Sequence, residues 1–238
     1  MYKTTTIRRE SCMPTLARRS NVGNYTFLVS GLLFLFLLMP LLSTFPALAK
    51  NTFLMRVILQ VGYSALMLLG IWGLPQRSYL FKFGLALALL TVTFTVIDIF
   101  FNSIVIELFL NAVVLLFSIG SAVIAAQHVF GGTKIDRNLL FGAMCVYLLM
   151  GLIWAILYGL IFQFLPGSFN GIQGIDGKAP MDTLLYYSFV TLASLGYGDI
   201  TPVAPLARTL AYLEVVGGQL YIAIMLAGLV GLFLKDRR

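Results

Sequence analysis

The chain has 238 residues, 60% of them hydrophobic and 11% charged, with a formal net charge of +7. Soluble domains carry about 25% charged residues, so this much apolar surface cannot be held in one water-soluble core. The composition excludes an ordinary soluble domain and predicts a polytopic membrane protein, for which lipid demands helices or a closed barrel.

The apolar runs are continuous and about 20 residues long, which predicts helices rather than alternating barrel strands. Residues 1–24 form a basic tail carrying Lys3, Arg8, Arg9, Arg18 and Arg19. A first span is predicted over Tyr25–Phe45, with Pro40 as a tolerated kink. A second reading of this start stays open: a basic region, an apolar run and Ala47-Leu48-Ala49 also fit a signal peptide with its cleavage site. The second span covers roughly Phe53–Leu74. The third covers Tyr79–Phe101 and the fourth Ile104–Phe130, with Asn102-Ser103 as the turn signal between them.

Residues 25–130 thus read as a four-helix peripheral bundle. Voltage sensing needs several Arg or Lys inside the fourth span. Ile104–Phe130 has none, so no strong intrinsic voltage dependence is expected. Asp98 and Glu107 read as solvated span ends, and His128 as a satisfied helix-end histidine. The fifth span covers Leu139–Leu165. It contains Cys145, whose pairing with Cys12 of the basic tail is implausible, and the cysteines lack metal-ligand spacing.

Residues 166–179 are rich in Gly, Asn, Ser and Asp and predict a loop. The apolar stretch 180–193 is too short to span and predicts a re-entrant helix. The sixth span covers Pro205–Leu234, so 139–234 reads as a second unit of two spans with a re-entrant stretch between them. Twelve of the sixteen Lys and Arg residues fall on the side of the two termini, which predicts that both termini are cytoplasmic. The positive charge therefore reports orientation, not a nucleic-acid partner. The chain stops a few residues after the sixth span, which predicts no cytoplasmic ligand-binding domain.

Between the re-entrant stretch and the sixth span, residues 191–202 read T-L-A-S-L-G-Y-G-D-I-T-P. A dehydrated potassium ion needs oxygens to replace its water shell. Successive carbonyls can face one axis only if the backbone alternates between ordinary and left-handed angles. Gly196 and Gly198 supply positions where a positive φ carries no Cβ penalty. Leu195 and Tyr197 would point away into packing. Ser194 would add a hydroxyl at the inner mouth, and Asp199 a negative charge at the outer mouth. Potassium would be held by the carbonyls of Ser194, Leu195, Gly196 and Tyr197. One loop offers one carbonyl per layer, so a cage of about eight oxygens takes four loops. No internal repeat supplies them, so four chains must assemble in a closed ring.

This stretch resembles the pore loop of tetrameric potassium channels. Tyr186, Tyr187 and the S-F-V-T-L run 188–192 look like that family's aromatic pore helix. Arg208 and Gly218 fall where the family often has an arginine opening the inner helix and a proposed hinge glycine. The resemblance covers about Phe141–Leu234, and spans one to four only in their number. Ser194 and Leu195 replace the commoner Thr and Val while keeping a hydroxyl and an apolar packer. It implies an all-α membrane protein of six helices per chain, assembled as a homotetramer in a plasma or inner membrane. It would conduct K+ passively, with no catalysis, no cofactor beyond the permeant ion and no soluble partner.

Plainer readings stand beside several of these residues. G-Y-G alone occurs in many turns, and Asp199 also fits a turn residue. Tyr186 and Tyr187 fit ordinary packing as well as support of the filter. Arg208 fits a snorkelling anchor. Glu214 lies two turns into span six, and an acid there is a functional candidate by default, although a nearby polar group could satisfy it. Gly217 and Gly218 fit a gating hinge or close helix packing. The rival functions are a non-selective cation channel, a potassium uptake transporter subunit and a non-conducting scaffold.

Overall fold

The computed structural model describes residues 25–44, 58, 61–66, 79–101, 104–132, 134–174 and 179–236. Their main elements, in chain order, are α1 (Tyr25–Ser43), α2 (Tyr79–Phe101), α3 (Ile104–Phe130) and α4 (Arg137–Phe164). Then follow β1 (Phe169–Asn170), α5 (Met181–Leu192), β2 (Thr201–Pro202) and α6 (Pro205–Asp236). Residues 61–66 are also helical and lie within the expected second span. The basic tail, Ala47–Ala49, Lys50, Arg56 and Lys178 lie outside the described residues.

Four helices are long and apolar enough to cross a membrane among the described residues: α1, α3, α4 and α6. The 28 residues of α4 and the 32 of α6 extend about 42 and 48 Å, beyond a hydrocarbon core of about 30 Å. In α2, residues 85–97 form a shorter apolar stretch. The boundaries of α1, α2, α3, α4 and α6 lie within a few residues of the expected first, third, fourth, fifth and sixth spans, and most of the expected second span lies outside the described residues. The chain is thus a mostly helical, multi-pass membrane protein.

α4 is the hub: α1, α3, α5 and α6 all pack on it, and α2 packs on α3. On α1 the buried residues Leu28, Leu32 and Leu35 recur at helical spacing, whereas Leu33, Phe34, Leu37 and Leu41 are exposed. On α3 the buried stripe is Leu110, Val113, Val114 and Phe117. Each helix is therefore apolar all round but turns one stripe inward, as expected where lipid covers the other face. Two hydroxyls on α2 and α3 return to their own backbone. Ser118 Oγ donates to Val114 O at 2.8 Å and Thr91 Oγ1 to Leu87 O at 2.8 Å. Such bonds satisfy a buried hydroxyl without a partner helix. His128 closes the end of α3, with Nε2 3.5 Å from Asn138 Nδ2 and its ring 5.3 Å from that of Tyr25.

α4 starts cleanly because Asp136 caps it, accepting from Leu139 N at 2.7 Å. Its glycines set the approach of α5. A Cβ on Gly151 would lie 2.5 Å from the Phe189 ring, and one on Gly159 3.1 Å from Leu184.

The expected 166–179 loop proves partly ordered as a ladder. β1 pairs antiparallel with β2, with Phe169 opposite Pro202 and Asn170 opposite Thr201. Ser168 O accepts from both Val203 N at 2.8 Å and Ala204 N at 3.2 Å. A two-residue ladder is too short to leave a period in the sequence, so composition reads only as loop. Gly171 makes it possible: its φ is +85°, and a Cβ there would overlap Asp199 O. Gly171→Ala is expected to unfasten this strap. A thermal melt of the detergent-solubilised protein should fall by several degrees, with a cost of about 2 kcal/mol or more from backbone strain plus overlap.

Candidate functional site

The site is built where α5 ends against α4 and α6. α5 has 12 residues, about 18 Å, which is too short to cross a bilayer. Its first turn carries Asp182, which suits the positive end of the helix dipole. Its buried face is Leu184, Leu185, Tyr187, Ser188, Val190 and Leu192.

The end of α5 is a Schellman motif. Ser194 N donates to Thr191 O at 2.9 Å and Leu195 N to Val190 O at 2.8 Å, with Ser194 at φ +58°. Glycine usually fills that position; serine there costs about 1–2 kcal/mol. Ser194 is the positive-φ residue other than glycine among those described. Gly196 at φ +59° and Gly198 at φ +80° continue the pattern, so every second residue from 194 to 198 is left-handed. The two glycines were expected in this geometry. For Ser194 the sequence predicts a hydroxyl and a carbonyl ligand, and the left-handed φ at a non-glycine residue is an additional feature of the structure.

Leu195 and Tyr197, expected to sit in packing, are 56% and 66% exposed. A single chain supplies no wall for them. A Cβ added at Gly196 or Gly198 would meet nothing within 4 Å. One face of the 194–198 segment is therefore open.

The other face is braced. Tyr186 donates its hydroxyl to Asp199 Oδ2 at 2.7 Å. That bond holds the Asp199 carboxyl below the usual carboxylate range. Tyr187 serves differently: it is buried and packs edge-on against Tyr158, with ring centroids 4.9 Å apart, and against Phe169 at 5.4 Å. Of the two tyrosines, Tyr186 reaches the loop by a hydrogen bond and Tyr187 belongs to the aromatic core behind it. Arg208 Nε donates to Pro202 O at 3.1 Å, fixing the start of α6 to β2.

Glu214 is fully buried behind α5. Tyr158 donates to its Oε2 at 2.5 Å, and Ser188 Oγ lies 2.5 Å from its Oε1. Ser188 also reaches Gly151 O at 2.8 Å. One carboxyl group thus joins α4, α5 and α6. Gly217 has only an ordinary contact, 3.9 Å from Met150 to an added Cβ. Gly218 is a close-packing site: a Cβ there would meet Leu192 O at 2.5 Å. α6 runs unbroken through both glycines.

Tyr158, Ser188, Gly171 and Gln219 were not singled out from sequence. Tyr158 and Gly171 carry no local signal, since their partners are 56 and 28 positions away. Gln219 did carry one: it is an uncharged polar residue inside an apolar span. No group of three or more His, Cys, Asp and Glu positioned for a metal occurs among the described residues.

Residues 140–235 match a family model described as "Ion channel". Over 87 residues the chain is 34% identical to "Two pore potassium channel c" of Oryza sativa subsp. japonica, covering 37% of this chain and 17% of that protein. Over 97 residues it is 31% identical to "Two-pore potassium channel 5" of Arabidopsis thaliana, covering 41% of this chain and 21% of that one. The chain thus spans about a fifth of the length of these relatives. No solved structure matches. The matched region is similar to potassium channels, and the family model that matches it is one of ion channels.

Proposed function

We propose that the chain is a subunit of a potassium-selective channel that conducts passively across a membrane, with Ser194–Gly198 as its filter and four copies around one axis. The observation that carries this reading is the alternation of left-handed residues at 194, 196 and 198, directly after a helix too short to span. Such alternation turns successive carbonyls toward one side, which a dehydrated cation requires. The rest of the geometry supports it. Asp199, tied to Tyr186, lies where an outer mouth needs negative charge. The end of α5 directs the negative end of its dipole to the inner side of the loop.

Four-fold assembly accounts for the open face. One chain leaves Leu195 and Tyr197 exposed, and only 6% of the apolar window of α6 is buried, against 50% for α4. Neighbouring copies would cover both. This sequence carries one G-Y-G-D, and in this reading four copies of it supply the four loops of one ring. In this reading α4, α5 and α6 form the pore domain, with both termini cytoplasmic. The absence of Lys and Arg from α3 argues against steep voltage gating by that helix.

The test is flux. Purified protein in liposomes is expected to pass potassium and rubidium far faster than sodium, with block by barium. No cation flux from well-formed tetramers would sink the channel reading. Equal sodium flux would leave a non-selective cation channel, the alternative that Ser194 and Leu195 keep open.

A further inference from the structure

We propose that Gln219 is a positioning residue for the inner mouth of the filter, aiming the hydroxyl oxygen of Ser194. The inference rests on the reading of 194–198 as the filter. Gln219 Nε2 donates to Ser194 Oγ at 3.0 Å. The two residues come from different elements, 25 positions apart.

α6 follows the end of α5 step by step. Glu214 meets Ser188, Gly218 lies against Leu192 O, and Gln219 reaches Ser194. Positions 214 and 218 lie about 40° apart on a helix with 3.6 residues per turn, and 219 follows about 100° further round, toward the loop. The close approach at Gly218 brings the backbone of α6 near enough for the next side chain to span to the loop. An amide in an apolar membrane span is costly unless it finds a polar partner, and Ser194 is that partner.

The bond decides what Ser194 can offer an ion. A serine oxygen has one proton and two lone pairs. The backbone of Ser194 is already fixed by the Schellman bonds of its own N–H and that of Leu195. Its hydroxyl is the part left free to turn. A donor from Gln219 occupies one lone pair and stops that rotation, leaving the second lone pair for a cation. In a four-fold ring, four amides would hold four hydroxyls at the entrance from the cavity. Without them the hydroxyls rotate, and the innermost ion site loses definition.

Barium reports on that site, because it is close to potassium in size and carries twice the charge. The experiment compares barium block of rubidium uptake into liposomes for the unmodified protein, Gln219→Met, Ser194→Ala and the double variant. Gln219→Met keeps the side-chain length and removes the donor. It is expected to raise the half-blocking barium concentration by about tenfold, with assembly on size exclusion unchanged. The double variant should match Ser194→Ala alone, because the two residues act through one bond. A merely structural role for Gln219 would change yield or assembly and leave the barium dependence alone. Block equal to the unmodified protein in Gln219→Met, or effects that multiply in the double variant, would overturn the inference. Should Gln219→Met fail to assemble, Gln219→Asn keeps the amide one methylene short of Ser194 and is judged by the same two criteria. Absence of barium-sensitive rubidium uptake by the unmodified protein would remove the filter reading itself, and this inference with it.

Discussion

Gly196→Ala is expected to abolish potassium-selective flux while leaving the helical scaffold assembled. The effect is conformational, not steric. Nothing lies within 4 Å of a Cβ built at Gly196, so an alanine methyl group fits. Its φ of +59° does not suit alanine, which loses about 1–2 kcal/mol in that region. Ser194 bears a similar cost, but two backbone bonds hold it. Gly196 has no such brace among the described residues, so the strained peptide is free to turn and take its carbonyl off the axis. In the proposed ring the cost is incurred four times, once per chain. The rubidium-to-sodium flux ratio in liposomes should fall by at least about tenfold, since a shift of about 1.4 kcal/mol already gives that factor. The thermal melt should move little, because residue 196 buries nothing in the core. A variant that keeps its flux ratio would show that the alternation at 194, 196 and 198 does not define the conduction path.

Much of the fold could be read before the coordinates because lipid imposes one rule. Every backbone group must be satisfied within its own helix, so apolar run length maps directly onto element length. That is why Tyr79–Phe101 and Ile104–Phe130 coincide with α2 and α3. The two glycines of G-Y-G were legible for a local reason: each needs a positive φ, and residue type reports that directly. What was not legible depends on contacts between distant residues. The β1–β2 strap rests on Gly171 meeting the carbonyl of Asp199, and nothing in G-I-Q-G at 171–174 marks which glycine does so. The Ser194 cap was hidden by a residue type unusual for its geometry. Gly218 had two readings from sequence, and only its approach to Leu192 O gives weight to close packing.

Glu214 carries the other large effect, and a pair of substitutions separates its charge from its hydrogen bonds. Glu214→Leu is expected to destabilise the protein strongly and Glu214→Gln only slightly. Leucine removes the acceptor of Tyr158, leaving a buried hydroxyl orphaned at about 1–3 kcal/mol, and it replaces the group that joins α4, α5 and α6. Glutamine can satisfy every partner. Its carbonyl oxygen accepts from Tyr158, and its amide donates to Ser188 Oγ. Ser188 then gives its single proton to Gly151 O, already at 2.8 Å, so two acceptors no longer compete for it. The thermal melt of Glu214→Leu should drop by several degrees, and its flux should fall with the loosened end of α5. Glu214→Gln should melt close to the unmodified protein and keep its rubidium-to-sodium ratio. Equal loss in both variants would mean that the carboxylate's charge matters, and not its place in the hydrogen-bond network. In that case Tyr158→Phe, which removes the donor and keeps the ring packed on Tyr187, should cost far less than Glu214→Gln; if the network is what counts, the order reverses.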